Sequence, residues 1–284
     1  VFGTGIVRTS EDFGRQGEWP SHPELLDWLA CEFESRDHSV RSMLRLMVTS
    51  EAFRQQSRVN PDCGKDPSNR LLSWFPRRRL TAEAIRDQAL FVAGLLVESR
   101  GGPSVKPYQP EGLWREVAMS QSNTRTFKRD DGDKLWRRSL YTYWKRACPP
   151  PNLLTFDAPT REFCTIRRST TNTPLQALVL WNDEQFVEAA RLLATRSVQD
   201  HGDDQTRIAS MYRRATSRRL TQSQAEMAMS TLRELQRRYQ QDPEAAAQLL
   251  QVGQMSAESS LPTSTLAAFT VLASAFLDLD ATIY

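Results

Sequence analysis

Cysteine and histidine are scarce in this chain, with four of the first and three of the second in 284 residues. Four scattered cysteines are too few for a disulfide-framed fold. None begins a Cys-x-x-Cys-His run, so c-type haem has no thioether attachment point in this chain. The few histidines include no H-E-x-x-H spacing, and a metal set built from Asp12, Glu18 and His22 is the weak remainder, because His22 lies at an expected helix start. No apolar run reaches the roughly 20 residues that a membrane-spanning helix needs. G-x-S-x-G, P-loop and G-x-G-x-x-G patterns are absent, which leaves no familiar catalytic signature. No period of roughly 20 to 50 residues recurs, which argues against a solenoid.

A core of ordinary size is available, with 39% hydrophobic residues beside 25% charged ones. The formal net charge is only +3, yet it is unevenly spread. Basic residues gather at 77–79, 134–146, 161–168 and 213–219, and none follows Arg238. Such a basic middle attracts anions, whether nucleic acid, glycan or acidic lipid. The plainer reading pairs most of these arginines with neighbouring carboxylates on solvated faces. No zinc-finger, RNP or homeodomain pattern supports nucleic acid, which ranks third among the possible ligand classes.

Helix start signals recur along the chain and predict a mainly α, multi-helix globular array with a long, polar, proline-rich connector. Ser21 to Glu24 reads as a capping box ahead of Leu25, Leu26, Trp28, Leu29 and Phe33. A second helix is expected over 39–48, with Val40, Met43, Leu44 and Met47 inward. Thr81 caps a third over 82–96. Pro110 suits the first turn of a short helix carrying Leu113 and Trp114. Residues 119–134 read as a mobile loop. Residues 135–146 fit helix or strand, and helix is preferred, with Leu140 and Trp144 on one face. Pro149, Pro150 and Pro151 stiffen the chain toward an extended form. Thr173-Pro174-Leu175-Gln176 then combines a cap, a first-turn proline and a reciprocal Gln, with Leu175, Leu178 and Val179 expected in the core. Further helices are expected at 184–197, 204–217, 222–240, 243–252 and 264–277. The last is apolar all round and too short to cross a bilayer, which predicts burial. The organisation expected is a helical part over 1–134, a connector over 135–173 and a helical part over 174–284, with one continuous domain as the alternative.

The connector concentrates the chemistry. Asp157, Arg161, Glu162, Arg167, Arg168, Asn172 and Gln176 lie within about 20 positions of one another and end at a helix N-terminus, where free N–H groups favour anions. Carboxylates, guanidinium groups and amides in that density suit a hydroxyl-rich or acidic ligand. The competing and preferred reading is a polar network that satisfies the backbone of a long irregular loop. Tyr108, Trp114, Tyr141 and Trp144 form a weaker candidate set as stacking platforms for sugars or bases, although aromatic residues at helical spacing more often belong to the core. Asp157 and Glu162 are a candidate acid–base pair whose separation the sequence does not give. Arg86 and Asp87 are expected to form an ordinary ion pair.

Several long motifs carry a family resemblance. RRSLYTYWKR, PPPNLLTFDAPTRE, CTIRRSTTNTPLQALVLWND and QFVEAARLLA, together with matching stretches at 2–33, 69–90, 101–118 and 215–224, resemble the planctomycete-type domain of unknown function 1553, the PSD-one domain. The match begins abruptly at Val1, and the chain is expected to be the C-terminal portion of a longer protein. The resemblance implies an exported, multidomain bacterial protein in which such domains accompany cytochrome-c-like modules, so that c-type haem belongs to companion domains and no cofactor to this chain. An oxidising location would permit a bridge between Cys148 and Cys164, against the commoner role of lone cysteines as small buried hydrophobes. The leading functional expectation is a noncatalytic interaction or scaffold domain whose partners are those companion domains. The alternative is a binding module or hydrolase for anionic, sulfated or uronate polysaccharide.

Overall fold

The computed structural model describes residues 1–57, 66–256 and 259–284. Cys63 therefore lies outside the described residues. Two compact units are present, 1–79 and 80–284. Among the described residues regular structure is helical, with no strand beyond two isolated bridges, Val97 to Arg137 and Val105 to Thr142. The expected mainly α fold is what the chain adopts.

The first unit holds α1 (Pro23–Ser35) and α2 (Val40–Thr49). The capping box expected at Ser21 does not form. His22 is the N-cap without a side-chain bond to the helix, and Ser21 Oγ sits 2.9 Å from His22 Nδ1 instead. Pro23 at the first position then fixes the entry. The helix expected over 39–48 forms as α2, with Ser39 as its cap, the hydroxyl accepting from Ser42 N–H. The inward face is narrower than its periodicity suggested. Met43 is buried and Met47 half-buried, whereas Val40 and Leu44 are exposed. Phe2, Phe53 and Phe75 form an aromatic trio with centroids 5.1 to 6.5 Å apart, Phe53 meeting each of the other two edge to face.

In the second unit the organising element is α7 (Glu184–Asp200), buried along nearly its whole length. It divides two apolar clusters. On one side Ala190, Leu193, Ala194 and Val198 pack with Ile208, Met211 and Tyr212 of α8 (Asp204–Thr216), Leu232 of α9 (Gln222–Gln241), and Leu266, Phe269, Leu272 and Phe276 of α11 (Thr263–Leu277). The short helix α10 (Pro243–Leu250) adds Leu250 at the edge. Helix α11 is buried all round, as an apolar helix too short for a bilayer should be. Thr221 and Gln224 close a reciprocal capping box at the start of α9.

On the other side of α7, Phe186 and Ala189 pack with Ile85, Ala89, Leu90 and Ala93 of α3 (Ala82–Ala93) and with residues from short turns and irregular chain: Leu95, Tyr108, Leu135, Trp136, Leu153 and Phe156. Helix α3 ends earlier than expected. Gly94 takes a left-handed conformation (φ 78°) as the C-cap, and the N–H groups of Leu95 and Leu96 both turn back to Leu90 O. A side chain at Gly94 would also collide with the Arg196 guanidinium.

Three expectations fail here. Residues 135–146 are not an α-helix but a 3-10 turn (Gly132–Trp136), another (Ser139–Tyr141) and extended chain, with Leu140 left 74% exposed. Pro110 lies outside α4 (Leu113–Val117), whose N-cap is Gly112 at φ 86°. Pro151 opens a short helix, α5 (Pro151–Thr155), rather than extending the chain. In this region backbone polar groups are satisfied by side chains from elsewhere, so local periodicity no longer governs. Of the mobile loop expected over 119–134, residues 119–131 are irregular, residues 132–134 belong to the first 3-10 turn, and the loop is tied down: Lys145 Nζ donates to Thr124 O at 2.7 Å, and Lys106 N–H to Asp130 Oδ2 at 2.7 Å.

Helix α6 (Pro174–Asn182) starts at the cap set, with Thr173 N–H meeting Gln176 Oε1 at 3.5 Å. Its buried face is the row of Gln176 and Leu180, with Val179 partly covered, whereas Leu175 and Leu178 are 63% and 55% exposed. The reciprocal Gln turns inward and takes the rest of its face with it. The closing helix, α12 (Asp280–Ile283), returns Ile283 O to Leu80 N–H at 2.7 Å.

Candidate functional site

Residues 158–172 leave the body of the second unit and return to it, and every residue from 160 to 172 is exposed. The two ends of this strap are clamped together. The Asp157 carboxylate accepts from Thr171 N–H (2.8 Å) and Thr171 Oγ1 (2.9 Å). Gln176 Nε2 donates to Thr155 O (3.0 Å), Thr171 O (3.2 Å) and Thr171 Oγ1 (3.2 Å). Asp157 itself sits at φ 61°, a left-handed position that Asp tolerates better than most residues. The strap is thus a closed loop on a hydrogen-bonded stem, and its geometry is set by the residues the sequence had singled out.

The other candidates separate. Arg161, also at positive φ, lays its guanidinium over the Trp144 ring at 4.4 Å, and Trp144 Nε1 donates to Thr160 O at 2.9 Å. Arg168 reaches Glu83 at the start of α3 (2.6 Å). Burial pushes the Glu83 carboxyl up, but the hydrogen bond and charge of Arg168 outweigh it and hold it below its ordinary range. Glu162, Arg167 and Asn172 are exposed and face solvent. Phe163 (72% exposed) and Ile166 (67%) stand among these charges without a core to enter. Cys148 and Cys164 are free thiols, as is Cys31; Cys31 and Cys164 are exposed and Cys148 is half-buried, so neither the bridge nor a buried-hydrophobe role describes them.

The proposed aromatic platform is not assembled. Tyr108 is buried and donates to Glu188 Oε2 at 3.1 Å, and burial, with the Glu188 charge beside it, drives its phenol well above the usual tyrosine range. Tyr141 lies under the Arg137 guanidinium at 3.9 Å and accepts from Gly101 N–H. Trp114 is buried edge-on against Phe127, centroids 5.1 Å apart.

What the sequence did not reveal is a pair of buried charges that build the walls around these residues. Arg86, 1% exposed, forms the expected ion pair with Asp87 at 3.7 Å, but its hydrogen bonds go elsewhere. Its guanidinium donates to Leu135 O, Arg137 O, Ser139 Oγ and Gln185 Oε1 at 2.6 to 3.1 Å. Burial lowers its pKa to about 10 against the opposing pull of Asp87 and Asp183, and it stays cationic at neutral pH. Glu188, fully buried, accepts from Trp136 Nε1 (2.8 Å), Tyr108 Oη (3.1 Å), Gln254 N–H (2.7 Å) and Met255 N–H (2.8 Å). Gly253 permits this approach, since a Cβ there would meet the carboxylate at 2.6 Å. Arg191, one turn along α7, donates to Val252 O and Met255 O. The available signal was Glu188 and Arg191 standing three apart inside the apolar run QFVEAARLLA.

Beside this framework opens a polar cleft of about 650 Å³, lined by Trp114, Gln109, Arg115, Arg129, Asp131 and Glu184. Trp114 Nε1 and Gln109 Nε2 are buried at its edge without hydrogen-bond partners. Arg129 meets Glu184 at 3.4 Å. Burial raises the Glu184 carboxyl above its ordinary range despite Arg129. Among the described residues no group of three or more His, Cys, Asp or Glu side chains converges as metal ligands, and no helix is long and apolar enough to cross a membrane.

A family model described as PSD1, protein of unknown function (DUF1553), matches residues 1–232. No curated protein and no solved structure matches the chain.

Proposed function

The chain belongs to the PSD1 family of proteins of unknown function (DUF1553), and on that premise we propose that it is a noncatalytic helical interaction domain that presents the strap over 160–172 to a protein partner. The observation that carries this reading is the display of Phe163 and Ile166 among Arg161, Arg167 and Arg168 on a clamped stem. Interface centres favour aromatic side chains and arginine, and a pre-formed loop loses less entropy on docking than a floppy one. The buried charges of the second unit are spent on holding backbone, which suits a scaffold. The partners that fit are companion domains of an exported polypeptide, cytochrome-c-like modules among them.

The test mixes the chain with a cytochrome-c-like module from a multidomain member of the family and measures affinity by calorimetry. Binding is expected, weakened at least about tenfold by Phe163→Ala, roughly the loss of one interface anchor. Helical circular dichroism should be unchanged. The reading fails if no binding is seen, if Phe163→Ala binds as well as the parent, or if the chain turns over a substrate and Glu162→Gln abolishes it.

A second reading rests on the cleft beside Trp114, whose orphaned indole and amide N–H groups, two guanidinium groups and Glu184 suit a hydroxyl-rich, anionic sugar. Glycan-array screening decides it. Salt-sensitive binding to uronate or sulfated sugars that Arg115→Gln weakens supports it, and silence across the array removes it.

A further inference from the structure

At the C-terminal end of α3, the end opposite Glu83, a cleft of about 830 Å³ lies between α3 and helices α7 and α8. Its size falls within the range of small-ligand sites, roughly 300–1,000 Å³. Three arginines line it, Arg196 from α7 and Arg213 and Arg214 from α8, together with the hydroxyl-bearing Ser210 and Ser217. One wall is apolar, formed by Phe91, which is 66% exposed, and Leu96.

The charges of this cleft are not balanced by its own carboxylates. Arg214 is paired with Asp200 through Nη2, but its Nη1 is buried with no hydrogen-bond partner. Arg196 donates to Val92 O at 3.2 Å and has no ion pair, and Arg213 has no side-chain partner among the described residues. Glu98, the carboxylate on the rim, is engaged by Arg138 at 2.9 Å. Arginines in the last turn of α8 do favour the negative end of that helix, and a purely structural role would end there. That role does not cover Arg196, which arrives from α7 and donates to Val92 O at the end of α3, or the buried, unpartnered Nη1 of Arg214, and Ser217, the C-cap of α8, lines the same cleft.

We propose that this cleft binds a small organic oxyanion ester, a phosphate or sulfate monoester, with the tetrahedral head held by Arg196, Arg213 and Arg214 and the organic body against Phe91 and Leu96. Planar guanidinium forks match tetrahedral oxyanions in pairs of parallel hydrogen bonds, and the two serine hydroxyls supply further donors. Gly94 belongs to the same construction, because a side chain there would displace Arg196 from its place at the end of α3.

Calorimetric titration of the whole chain with phenyl phosphate, and separately with phenyl sulfate, tests the assignment, with sodium chloride at matched ionic strength as the control. Saturable binding of one or both esters is expected, and which one binds names the head group. Arg213→Gln, at an exposed position that holds no part of the fold, should weaken it about tenfold or more, the loss of one charge-assisted hydrogen bond of about 1.4 kcal/mol. Arg161→Gln on the strap should leave it unchanged. The proposal is overturned if neither ester saturates, if chloride competes equally at matched strength, or if Arg213→Gln binds like the parent.

Discussion

The two sides of α7 are built on different physics. Around α11 the contacts are apolar, helix to helix, and the polar backbone is satisfied within each helix. Around α3 the core includes 3-10 turns and extended chain, and the carbonyls of Leu135 and Arg137 there are satisfied by Arg86 reaching across the fold, while Glu188 and Arg191 hold the backbone of 252–255 between α10 and α11. The comparison teaches that irregular chain can be buried as securely as helix when charged side chains replace the missing secondary-structure bonds. It also locates where a display loop can be attached without its own regular structure.

The sharpest way to break that comparison is to remove a buried charge. Arg86→Met keeps much of the volume while stranding the carbonyls of Leu135 and Arg137 and the Gln185 amide. It should cost about 5 kcal/mol, the upper part of the range for breaking one partner of a buried polar network. Urea unfolding measures the loss, and hydrogen exchange should show protection vanishing first in 95–144 while α7 to α11 keep theirs. A variant within about 1 kcal/mol of the parent would mean that Arg86 fills space rather than holding backbone, and the distinction between the two sides would collapse.

Next in size is Phe269→Ala on the apolar side, expected to cost about 4 kcal/mol from lost burial and the cavity left behind. Here the exchange pattern should be different. Helices α7, α8, α9 and α11 should lose protection together, because nothing local holds one of them independently of the rest. A loss confined to α11 would show that the apolar cluster is less cooperative than its packing suggests.

These expectations explain which features the sequence exposed. Helix starts at Thr81 and Thr173 were legible because a cap is a local bond between residues three apart. The burial of α11 was legible from its composition alone. Residues 135–146 were not, since their conformation depends on Arg86, some fifty positions earlier, and no pattern within the segment records it. The same holds in miniature for α6, where the inward turn of Gln176 toward Thr155 and Thr171 moved the buried face off Leu175 and Leu178. Of the candidate residues, Asp157 and Gln176 meet at the strap's stem through Thr171, a joint partner that no pattern in the sequence records.

That stem gives an intermediate effect. Asp157→Ala removes two hydrogen bonds to Thr171 and places a less tolerant residue at φ 61°, and it should cost about 2 kcal/mol. More telling than the stability is the strap itself. Limited proteolysis should cut within 160–172 at least about tenfold faster than in the parent, in proportion to an opening equilibrium shifted by some 1.4 kcal/mol or more. Unchanged cleavage would mean that the stem does not set the strap's geometry.

The smallest effect belongs to the pin between the strap and α3, the Arg168 to Glu83 pair, because both side chains remain partly in water. Exposed pairs contribute about 0.5 kcal/mol, well below a buried charge. Its pH dependence has a definite sign. The Glu83 carboxyl is held below its ordinary value in the folded state, so the pair's contribution is present above that ordinary value, near about 4.3, and is lost as pH falls through the lowered one. Arg168→Ala should therefore be less stable than the parent at neutral pH and converge with it in acid, once Glu83 is protonated in both. Parallel urea titrations at the two pH values measure this. A difference that persists undiminished in acid would mean that Arg168 acts through its aliphatic stem rather than its charge, and that the strap's pin is of the same apolar kind as the far side of α7.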